Sequence, residues 1–225
     1  MSVFSTLMGL MRVPFLILTP ACVFLGYASA VWTIGKVNPL RFLMVLFGGI
    51  SSHISVNVFN EYFDYKSGLD FRTRRTPFSG GSGTLPTQPE RANLALLTGI
   101  MTLTITALIG YFFLRIVGLQ LLPLGIAGLL IVFTYTKWLS RSPFLCLIAP
   151  GLGFGTLMVM GTDLVLSGNY SWTAFVASCV PFFTVSNLLL LNQIPDVEAD
   201  RSVGRRNYPM LLGRPTSTII YGIFL

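Results

Sequence analysis

Apolar stretches of similar length alternate with polar segments along the whole chain. A membrane-spanning α-helix needs about 20 apolar residues, because the hydrocarbon core is about 30 Å thick and each residue rises about 1.5 Å. Stretches of about this length, free of Asp, Glu, Lys and Arg, cover residues 13–31, 42–59, 92–114, 117–135, 144–162 and 172–191. The pattern predicts six full membrane-spanning helices in an all-α, polytopic transmembrane helical bundle. Glycines inside these stretches, as in GLGFG at residues 151–155, predict close helix packing.

A seventh apolar stretch begins at Thr216 and continues to Leu225, where the sequence ends. This stretch has about half the length needed to cross a bilayer. Two interpretations are open: an incomplete seventh helix in a chain truncated at its C-terminus, or a short final helix packed against its neighbours. We expect one domain over residues 1–225, truncated at its C-terminus.

The composition agrees with a membrane environment. Hydrophobic residues make up 53% of the chain and charged residues 10%, and the mean hydropathy is +0.73. These values exclude an ordinary soluble domain, whose surface must be charged.

The charged residues are divided unequally between the two sides of the predicted membrane. Of the 15 basic residues, all but Lys36, Arg41 and Arg115 lie on the side of the N-terminus and of the loops after helices 2, 4 and 6. Of the 8 acidic residues, only Asp163 lies on the other side. The positive-inside rule places the basic side in the cytoplasm. We therefore expect a multi-pass protein of the inner (plasma) membrane, surrounded by lipid, with a cytoplasmic N-terminus, a polar cytoplasmic cap and no nucleic-acid partner.

Two segments combine Asn with carboxylates at helical spacing, each directly after an apolar stretch. In the first segment, His53, Asn57 and Glu61 follow one another at a spacing of four residues and form a stripe along one side of the helix. Asn60 and Asp64 lie one turn apart beside this stripe. Gly68 is expected to end the helix before Asp70. In the second, the residues at i, i+4 and i+8 are Asn192, Asp196 and Asp200. They predict a single helical face, although Pro195 is expected to kink the helix.

Carboxylates this close together repel one another and are costly near hydrocarbon, so the clusters predict a bound cation. Mg²⁺ prefers oxygen ligands and binds through one or two carboxylates together with water and substrate phosphates. Arginines follow both segments and are suited to pairing with phosphate oxygens: Arg72, Arg74 and Arg75, and then Arg201, Arg205 and Arg206. The alternative is that these acids and bases only pair with one another on a solvated surface. The presence of two matching loops favours the Mg²⁺ and phosphate interpretation.

Further candidates lie at the same cytoplasmic side. Lys137 and Arg141 follow helix 4 and are either ordinary positive-inside anchors or ligands of the phosphates. Tyr135 is either an interfacial aromatic residue or a group that faces a developing cation. The glycine-rich segment TPFSGGSGTLP lacks the Lys of a Walker A loop and alone indicates a flexible loop. His53 is left out of the site, because a lone His within a helix is expected to bond a neighbouring helix.

These motifs resemble those of the UbiA superfamily of membrane prenyltransferases. NEYFDYKSGLD resembles the first acidic motif of that family, with Glu61 where Asp is usual and with Gly68 and Asp70 arranged as in the branch that prenylates 1,4-dihydroxy-2-naphthoate. NQIPDVEADRSVGRRNYPMLLG resembles the second motif, with Asn192 in place of its first Asp and Asn207 where Thr is usual. YTKWLSR is similar to the family's signature between helices 4 and 5.

The resemblance implies Mg²⁺-dependent transfer of a polyprenyl group from an allylic polyprenyl diphosphate to an aromatic acceptor, with 1,4-dihydroxy-2-naphthoate in menaquinone biosynthesis as the best candidate. The implied metal ligands are Asn60, Asp64, Asp70, Asn192, Asp196 and Asp200. The implied groups for the diphosphate are Asn60, Arg72, Arg74, Arg75, Lys137, Arg141, Asn192, Arg201 and Arg205, and Tyr135 would act beside the catalytic carboxylates. Alternative acceptors are 4-hydroxybenzoate, a homogentisate or a glycerol ether lipid. An alternative from another class, a divalent-cation transporter, would place its carboxylates near the middle of the bilayer rather than at one boundary.

Overall fold

The computed structural model describes residues 2–76 and 80–225, and the described part of the chain is helical, without strands. The α-helices are α1 Val3–Leu10, α2 Leu18–Ile34, α3 Pro39–Ser67, α4 Thr84–Thr87, α5 Ala92–Val117, α6 Leu122–Thr134, α7 Pro143–Gly151, α8 Met158–Ser167, α9 Trp172–Gln193, α10 Val197–Ser202 and α11 Tyr208–Ile223. Short 3₁₀ turns lie at Val13–Ile17, Leu69–Phe71, Pro89–Arg91, Leu119–Leu121 and Leu139–Arg141, and one π-helical turn covers Leu152–Leu157.

The long apolar helices confirm the prediction of a polytopic helical bundle. Within the described residues, 5 segments are long and apolar enough to cross a membrane: Val13–Ile34, Pro39–Ser67, Pro89–Val117, Pro143–Ser167 and Trp172–Gln193. The fourth predicted helix is a shorter apolar segment, Leu119–Thr134. It is shorter because α5 ends at Gly118, whose φ of 81° lies outside the helical region.

Local sequence signals explain where the helices begin and end. Asn38 caps α3, because its side-chain oxygen accepts hydrogen bonds from the backbone N–H groups of Leu40 and Arg41 at 2.9 and 3.2 Å. Gly68 ends the same helix in the left-handed conformation, with φ 79°, as the sequence predicted. The helix that carries the first acidic segment therefore has two well-defined ends.

Small residues allow the helices to pack closely, as predicted. A β-carbon at Gly99 of α5 would lie 2.8 Å from the Phe59 ring of α3. A β-carbon at Gly26 of α2 would lie 2.5 Å from the carbonyl oxygen of Val159 in α8. These contacts hold α3 against α5 and α2 against α8, and they leave the centre of the bundle to an internal cavity.

The seventh apolar stretch forms the second half of α11. Gly213 interrupts α11 with φ 74° and ψ 172°, so the axis of the helix changes there. The second half contacts α9: the Asn187 side-chain amide donates to the Tyr221 carbonyl oxygen at 3.0 Å, and the rings of Phe183 and Phe224 are 5.2 Å apart. Most of the remaining side chains of α11 are exposed.

Candidate functional site

The first acidic segment turns its carboxylates inward at the end of α3. Glu61 and Asp64 lie on the buried side of the last turns of the helix. After Gly68, the 3₁₀ turn Leu69–Phe71 reverses the chain and buries Asp70 beside them. The predicted helix break therefore brings Asp70 back toward the bundle instead of extending it into solvent.

The second acidic segment does not lie on one continuous helix, so the predicted single face of Asn192, Asp196 and Asp200 is wrong. α9 ends at Gln193, and Asp196 is the N-cap of the separate helix α10. The cause is Pro195, which has no N–H to continue the hydrogen-bond ladder of α9. Asp200 is nevertheless buried in α10.

Arg205 joins the two segments. Its guanidinium contacts the Asp64 carboxylate and donates to Oδ1 of Asp200 at 3.2 Å. Asn207 donates to the other Asp200 oxygen at 3.0 Å. We call Asp64, Asp70 and Asp200 the carboxylate cluster, and it gathers side chains from both predicted motifs at one end of the bundle.

The carboxylate cluster carries negative charge away from bulk water. Burial raises the pKa of Asp70 to about 7, and the negative charges of Asp64 and Glu61 act in the same direction. Burial also raises the pKa of Asp200, against the opposing effect of Arg205. Among the described residues, Oδ2 of Asp70 is buried without a hydrogen-bond partner. A cation near these oxygens would stabilise their charged forms.

The chemistry of these donors fits Mg²⁺. In the described ranges 2–76 and 80–225, no group of three or more His, Cys, Asp or Glu side chains is placed so that it could hold a metal ion. Mg²⁺ does not require one, because it commonly takes one or two carboxylates and completes its shell with water and phosphate oxygens. The open oxygen of Asp70, beside Asp64, offers this type of partial site.

A large cavity lies inside the bundle, and Asn60 of α3, one turn before Asp64, is among the residues that line it. Its volume is about 830 Å³, and apolar side chains of α2, α3, α5, α6 and α9 form most of its wall. Its lining also includes polar and charged residues: Arg12, Ser52, His53, Asn57, Asn60, Thr106, Tyr111, Tyr135, Thr162 and Asn192. The structure thus brings Asn60, Tyr135 and Asn192 to one cavity, as expected of site residues.

Two of the polar lining residues are held by side chains of neighbouring elements. Nδ1 of His53 lies 2.9 Å from the Thr19 hydroxyl of α2, which confirms that this His bonds a neighbouring helix. The Thr136 hydroxyl donates to the Asn60 side-chain oxygen at 3.1 Å. Sequence reasoning did not single out Thr136, although it lies inside the YTKWLSR motif.

Most of the predicted basic ligands remain on the surface. Arg72 donates to the Ser202 carbonyl oxygen at 3.3 Å and so links the two acidic segments. The Lys137 ammonium lies 5.3 Å from the centre of the Trp138 ring. The others are exposed: Arg74, Arg75, Arg141 and Arg201. The Pro77, Phe78 and Ser79 part of the glycine-rich segment lies outside the described residues.

Arg12 is the cavity residue that sequence reasoning missed. It lies between α1 and α2, and its side chain forms an ion pair with buried Glu61, with 2.6 Å between Nη2 and Oε1. The available signal was its position as a basic residue directly before the first apolar stretch, on the same side as both acidic motifs.

Known proteins resemble this chain in sequence and in fold. The model of the UbiA prenyltransferase family matches residues 15–225. The chain belongs to the UbiA prenyltransferase family. Membership in the UbiA family confirms the resemblance drawn from the two acidic motifs and argues against a divalent-cation transporter.

The curated relatives of this chain have names that refer to different substrates or products. The chain is 27% identical to 1,4-dihydroxy-2-naphthoate octaprenyltransferase of Bacillus subtilis, over 85% of this chain and 60% of that protein. It is 30% identical to protoheme IX farnesyltransferase of Synechococcus sp., over 69% of this chain and 44% of the relative. It is 24% identical to digeranylgeranylglyceryl phosphate synthase of Thermococcus sibiricus, over 88% of this chain and 66% of the relative. The chain therefore spans between 44% and 66% of the length of these UbiA relatives.

Solved structures of the UbiA family share the fold. A UbiA homologue from Archaeoglobus fulgidus, bound to DMAPP and Mg²⁺, aligns with a TM-score of 0.69 over 97% of this chain and 73% of that chain, at 16% identity. A digeranylgeranylglyceryl phosphate synthase aligns equally well, with a TM-score of 0.69 at 17% identity. The helical bundle is thus the UbiA fold.

Proposed function

We propose that the protein transfers a polyprenyl group from an allylic prenyl diphosphate to an aromatic acceptor. The observation that carries this proposal is that Asn60 and Asn192, one from each acidic segment, line a mostly apolar cavity of about 830 Å³. The carboxylate cluster suits the anionic end of such a substrate together with a divalent cation, and the cavity suits its hydrocarbon chain. The names of the curated UbiA relatives support prenyl transfer as the reaction type.

The proposed metal is Mg²⁺, and the residues that would hold it are Asn60, Asp64, Asp70, Asn192, Asp196 and Asp200. When bound, Mg²⁺ would neutralise charge on the departing diphosphate and so lower the barrier to its departure. Support comes from the open Asp70 oxygen in the carboxylate cluster. The UbiA homologue from Archaeoglobus fulgidus that was solved with DMAPP and Mg²⁺ gives further support.

The protein's own residues would orient the substrate and keep out water. Arg205 holds Asp64 and Asp200 on either side of one guanidinium, which fixes the distance between the two acidic segments. The apolar cavity wall takes up the prenyl chain and excludes the water that would capture an allylic cation. The Tyr135 side chain lines the same cavity and offers an aromatic face to developing positive charge.

The reaction is balanced without an oxidant or reductant. The bond between the allylic carbon and a diphosphate oxygen breaks, and both electrons leave with the diphosphate. A carbon of the electron-rich acceptor then forms a bond to the allylic carbon, and the acceptor loses a proton. Basic residues from the set Arg72, Arg74, Arg75, Lys137, Arg141, Arg201 and Arg205 would pair with the diphosphate as it leaves.

The proposed acceptor is 1,4-dihydroxy-2-naphthoate, which would place the protein in menaquinone biosynthesis. The spacing of Gly68 and Asp70 in the first motif and the Bacillus subtilis relative both support this choice. A protoheme or a glycerol ether lipid is the competing acceptor, because other UbiA relatives carry those names.

Prenyl transfer can be measured with the purified protein in lipid nanodiscs, Mg²⁺ and a radiolabelled polyprenyl diphosphate. We expect product with 1,4-dihydroxy-2-naphthoate and its loss in Asp64→Ala and Asp196→Ala. Glu198→Ala is the matched control, because Glu198 is an exposed acid of α10 in the same segment. Unchanged turnover in Asp64→Ala or Asp196→Ala would refute the site. Exclusive use of another acceptor from a panel would refute the naphthoate assignment.

We further propose that the protein lies in the inner (plasma) membrane and that its carboxylate cluster faces the cytoplasm. The charge asymmetry of the loops supports this orientation. Single-cysteine variants test it, after replacement of Cys22, Cys146 and Cys179 by Ala. A membrane-impermeant maleimide added to whole cells is expected to label Lys36→Cys and to spare Glu90→Cys, and the opposite labelling would overturn the orientation.

A further inference from the structure

Glu61 lies beside the carboxylate cluster, but both of its carboxylate oxygens accept hydrogen bonds from protein groups. The side chain is fully buried on α3, one turn before Asp64. Its Oε1 accepts hydrogen bonds from Nε of Arg12 at 2.7 Å and from the backbone N–H of Ser82 at 2.8 Å. Its Oε2 accepts from the Ser82 hydroxyl at 2.6 Å. Both oxygens are therefore engaged by protein groups, which makes Glu61 a poor candidate for a metal ligand.

Arg12, which lines the cavity, is fixed in place by this contact. Its backbone has φ 50°, a left-handed conformation that is unusual for a residue other than glycine. The preceding carbonyl oxygen, of Met11, accepts a hydrogen bond from the Asn57 side-chain amide at 2.9 Å. The Arg12 guanidinium is held by Glu61 through Nε and Nη2, with 2.6 Å between Nη2 and Oε1. Backbone and side chain are thus both positioned by α3.

One end of the Arg12 guanidinium is left for a ligand. Among the described residues, Nη1 has no hydrogen-bond partner, and Arg12 is one of the residues that line the cavity. A guanidinium that is neutralised on one side and open on the other binds an anion with little loss of side-chain freedom. The structure therefore has a pre-oriented donor for an anionic group at the wall of the cavity.

Glu61 also holds the glycine-rich segment 80–83 against the carboxylate cluster. Gly81 has φ 69°, and a β-carbon there would lie 3.0 Å from Oδ1 of Asp70 and 3.5 Å from Nη2 of Arg12. Only glycine fits this close approach without displacing its neighbours. Because Ser82 is bonded to Glu61 through its backbone and its hydroxyl, the segment forms a wall beside Asp70.

We infer that Glu61 is a positioning residue that holds Arg12 and segment 80–83 in place, so that Arg12 binds the anionic end of the substrate. This inference rests on the proposed function in that the anion is taken to be a diphosphate. The length of the Glu61 side chain matters, because its two oxygens must reach partners on both sides. An Asp at this position is shorter by one carbon–carbon bond, about 1.5 Å.

The inference can be tested with inorganic diphosphate and Mg²⁺ as the probe, by calorimetric titration of the purified protein, so that binding is separated from prenyl transfer. We expect Glu61→Gln and Arg12→Gln each to weaken diphosphate binding by about tenfold. The double variant should bind no more weakly than Arg12→Gln alone, because Glu61 acts through Arg12. Ser82→Ala should have a smaller effect, because the Ser82 backbone N–H still donates to Glu61. Glu61→Asp should bind more tightly than Glu61→Gln, because it restores the charge that attracts Arg12.

Glu90→Gln is the matched control, because Glu90 is exposed at the same end of the bundle. If Glu61→Gln lowers the unfolding temperature but leaves the diphosphate affinity unchanged, Glu61 contributes only to stability. That result would overturn the inference. Absence of diphosphate binding by the unaltered protein would overturn both this inference and the proposed function. Normal diphosphate binding without any prenyl transfer would overturn the proposed function alone.

Discussion

The Arg205 guanidinium contacts Asp64, a residue 141 positions earlier in the sequence. The same guanidinium lies 3.2 Å from Asp200. Two buried carboxylates therefore share one cation, and each acidic segment depends on the other for its charge balance. This relationship explains why the two motifs form one site rather than two separate charged loops.

Removal of the Arg205 charge is expected to destabilise the protein and to end catalysis. In Arg205→Leu, Asp64 and Asp200 would face each other without a counterion, and loss of one partner of a buried ion pair costs about 3–5 kcal/mol. Arg205→Lys should be intermediate, because an ammonium keeps the charge but lacks the planar fork that contacts both carboxylates. Unfolding in detergent with increasing denaturant measures the difference. Arg206→Leu is the control, since Arg206 is the exposed neighbour, and equal stability of both Leu variants would contradict the prediction.

The helical bundle could be predicted from the sequence because membrane helices follow directly from local hydrophobicity. The uncharged stretch of residues 172–191 corresponds closely to α9, Trp172–Gln193. The break at Gly68 was also a local signal, since glycine ends helices in the left-handed conformation. The end of α9 before Pro195 was underestimated as a kink, because sequence alone does not show whether neighbouring helices restore the lost hydrogen bond.

The candidate site was predictable only where its residues belong to one local sequence motif. Asp64 and Asp70 were found from spacing within one motif. The contact between Arg12 and Glu61 spans 49 positions, so no local pattern indicates it. The position of the Lys137 ammonium over the Trp138 ring likewise depends on how the chain turns after α6 rather than on residue type.

The cavity wall on α6 is expected to limit the length of the prenyl chain. Gly128 lines the cavity, and a β-carbon built there meets no atom within 4 Å. Gly128→Phe would therefore fill the cavity beyond Tyr135, about 10 Å further along the helix. We expect transfer from long polyprenyl diphosphates to fall at least about tenfold relative to geranyl diphosphate, a discrimination of the size that steric exclusion from an apolar pocket supplies.

Competition between labelled prenyl diphosphates of two lengths measures this ratio in a single reaction. Gly222→Phe is the control, because Gly222 also faces open space but lies on α11, outside the cavity lining. An equal loss for short and long substrates in Gly128→Phe would indicate misfolding rather than a length limit.

The hydrogen bond between His53 and Thr19 is expected to stabilise the contact of α3 with α2. The two side chains are buried, and their polar atoms are 2.9 Å apart. A double-mutant cycle with His53→Phe and Thr19→Val should give a coupling free energy of about 1 kcal/mol, the usual net value of such a bond. Unfolding measurements on the four proteins provide it. A coupling of zero would mean that each group finds another partner when its neighbour is removed.

Packing of the π-helical turn against α9 provides a test of the fold that is independent of the proposed reaction. A β-carbon at Gly155 would lie 2.5 Å from the backbone nitrogen of Phe182 and 2.8 Å from the carbonyl oxygen of Ser178. These are backbone atoms of α9, so they cannot rotate away as a side chain could. Gly155→Ala must therefore push the two helices apart, and we expect a loss of about 1–3 kcal/mol in the free energy of unfolding.

Gly161→Ala supplies the matched comparison. Gly161 belongs to α8 in the same membrane-spanning segment, and a β-carbon there meets nothing within 4 Å. Alanine is the better helix former by roughly 0.5–1 kcal/mol, so this variant should be as stable as the unaltered protein or more stable. Equal destabilisation by both alanines would contradict the prediction, because the loss would then arise within the membrane-spanning segment itself and not from its contact with α9. Opposite signs would locate the effect in the contact with α9, because only the β-carbon at position 155 meets backbone atoms of that helix.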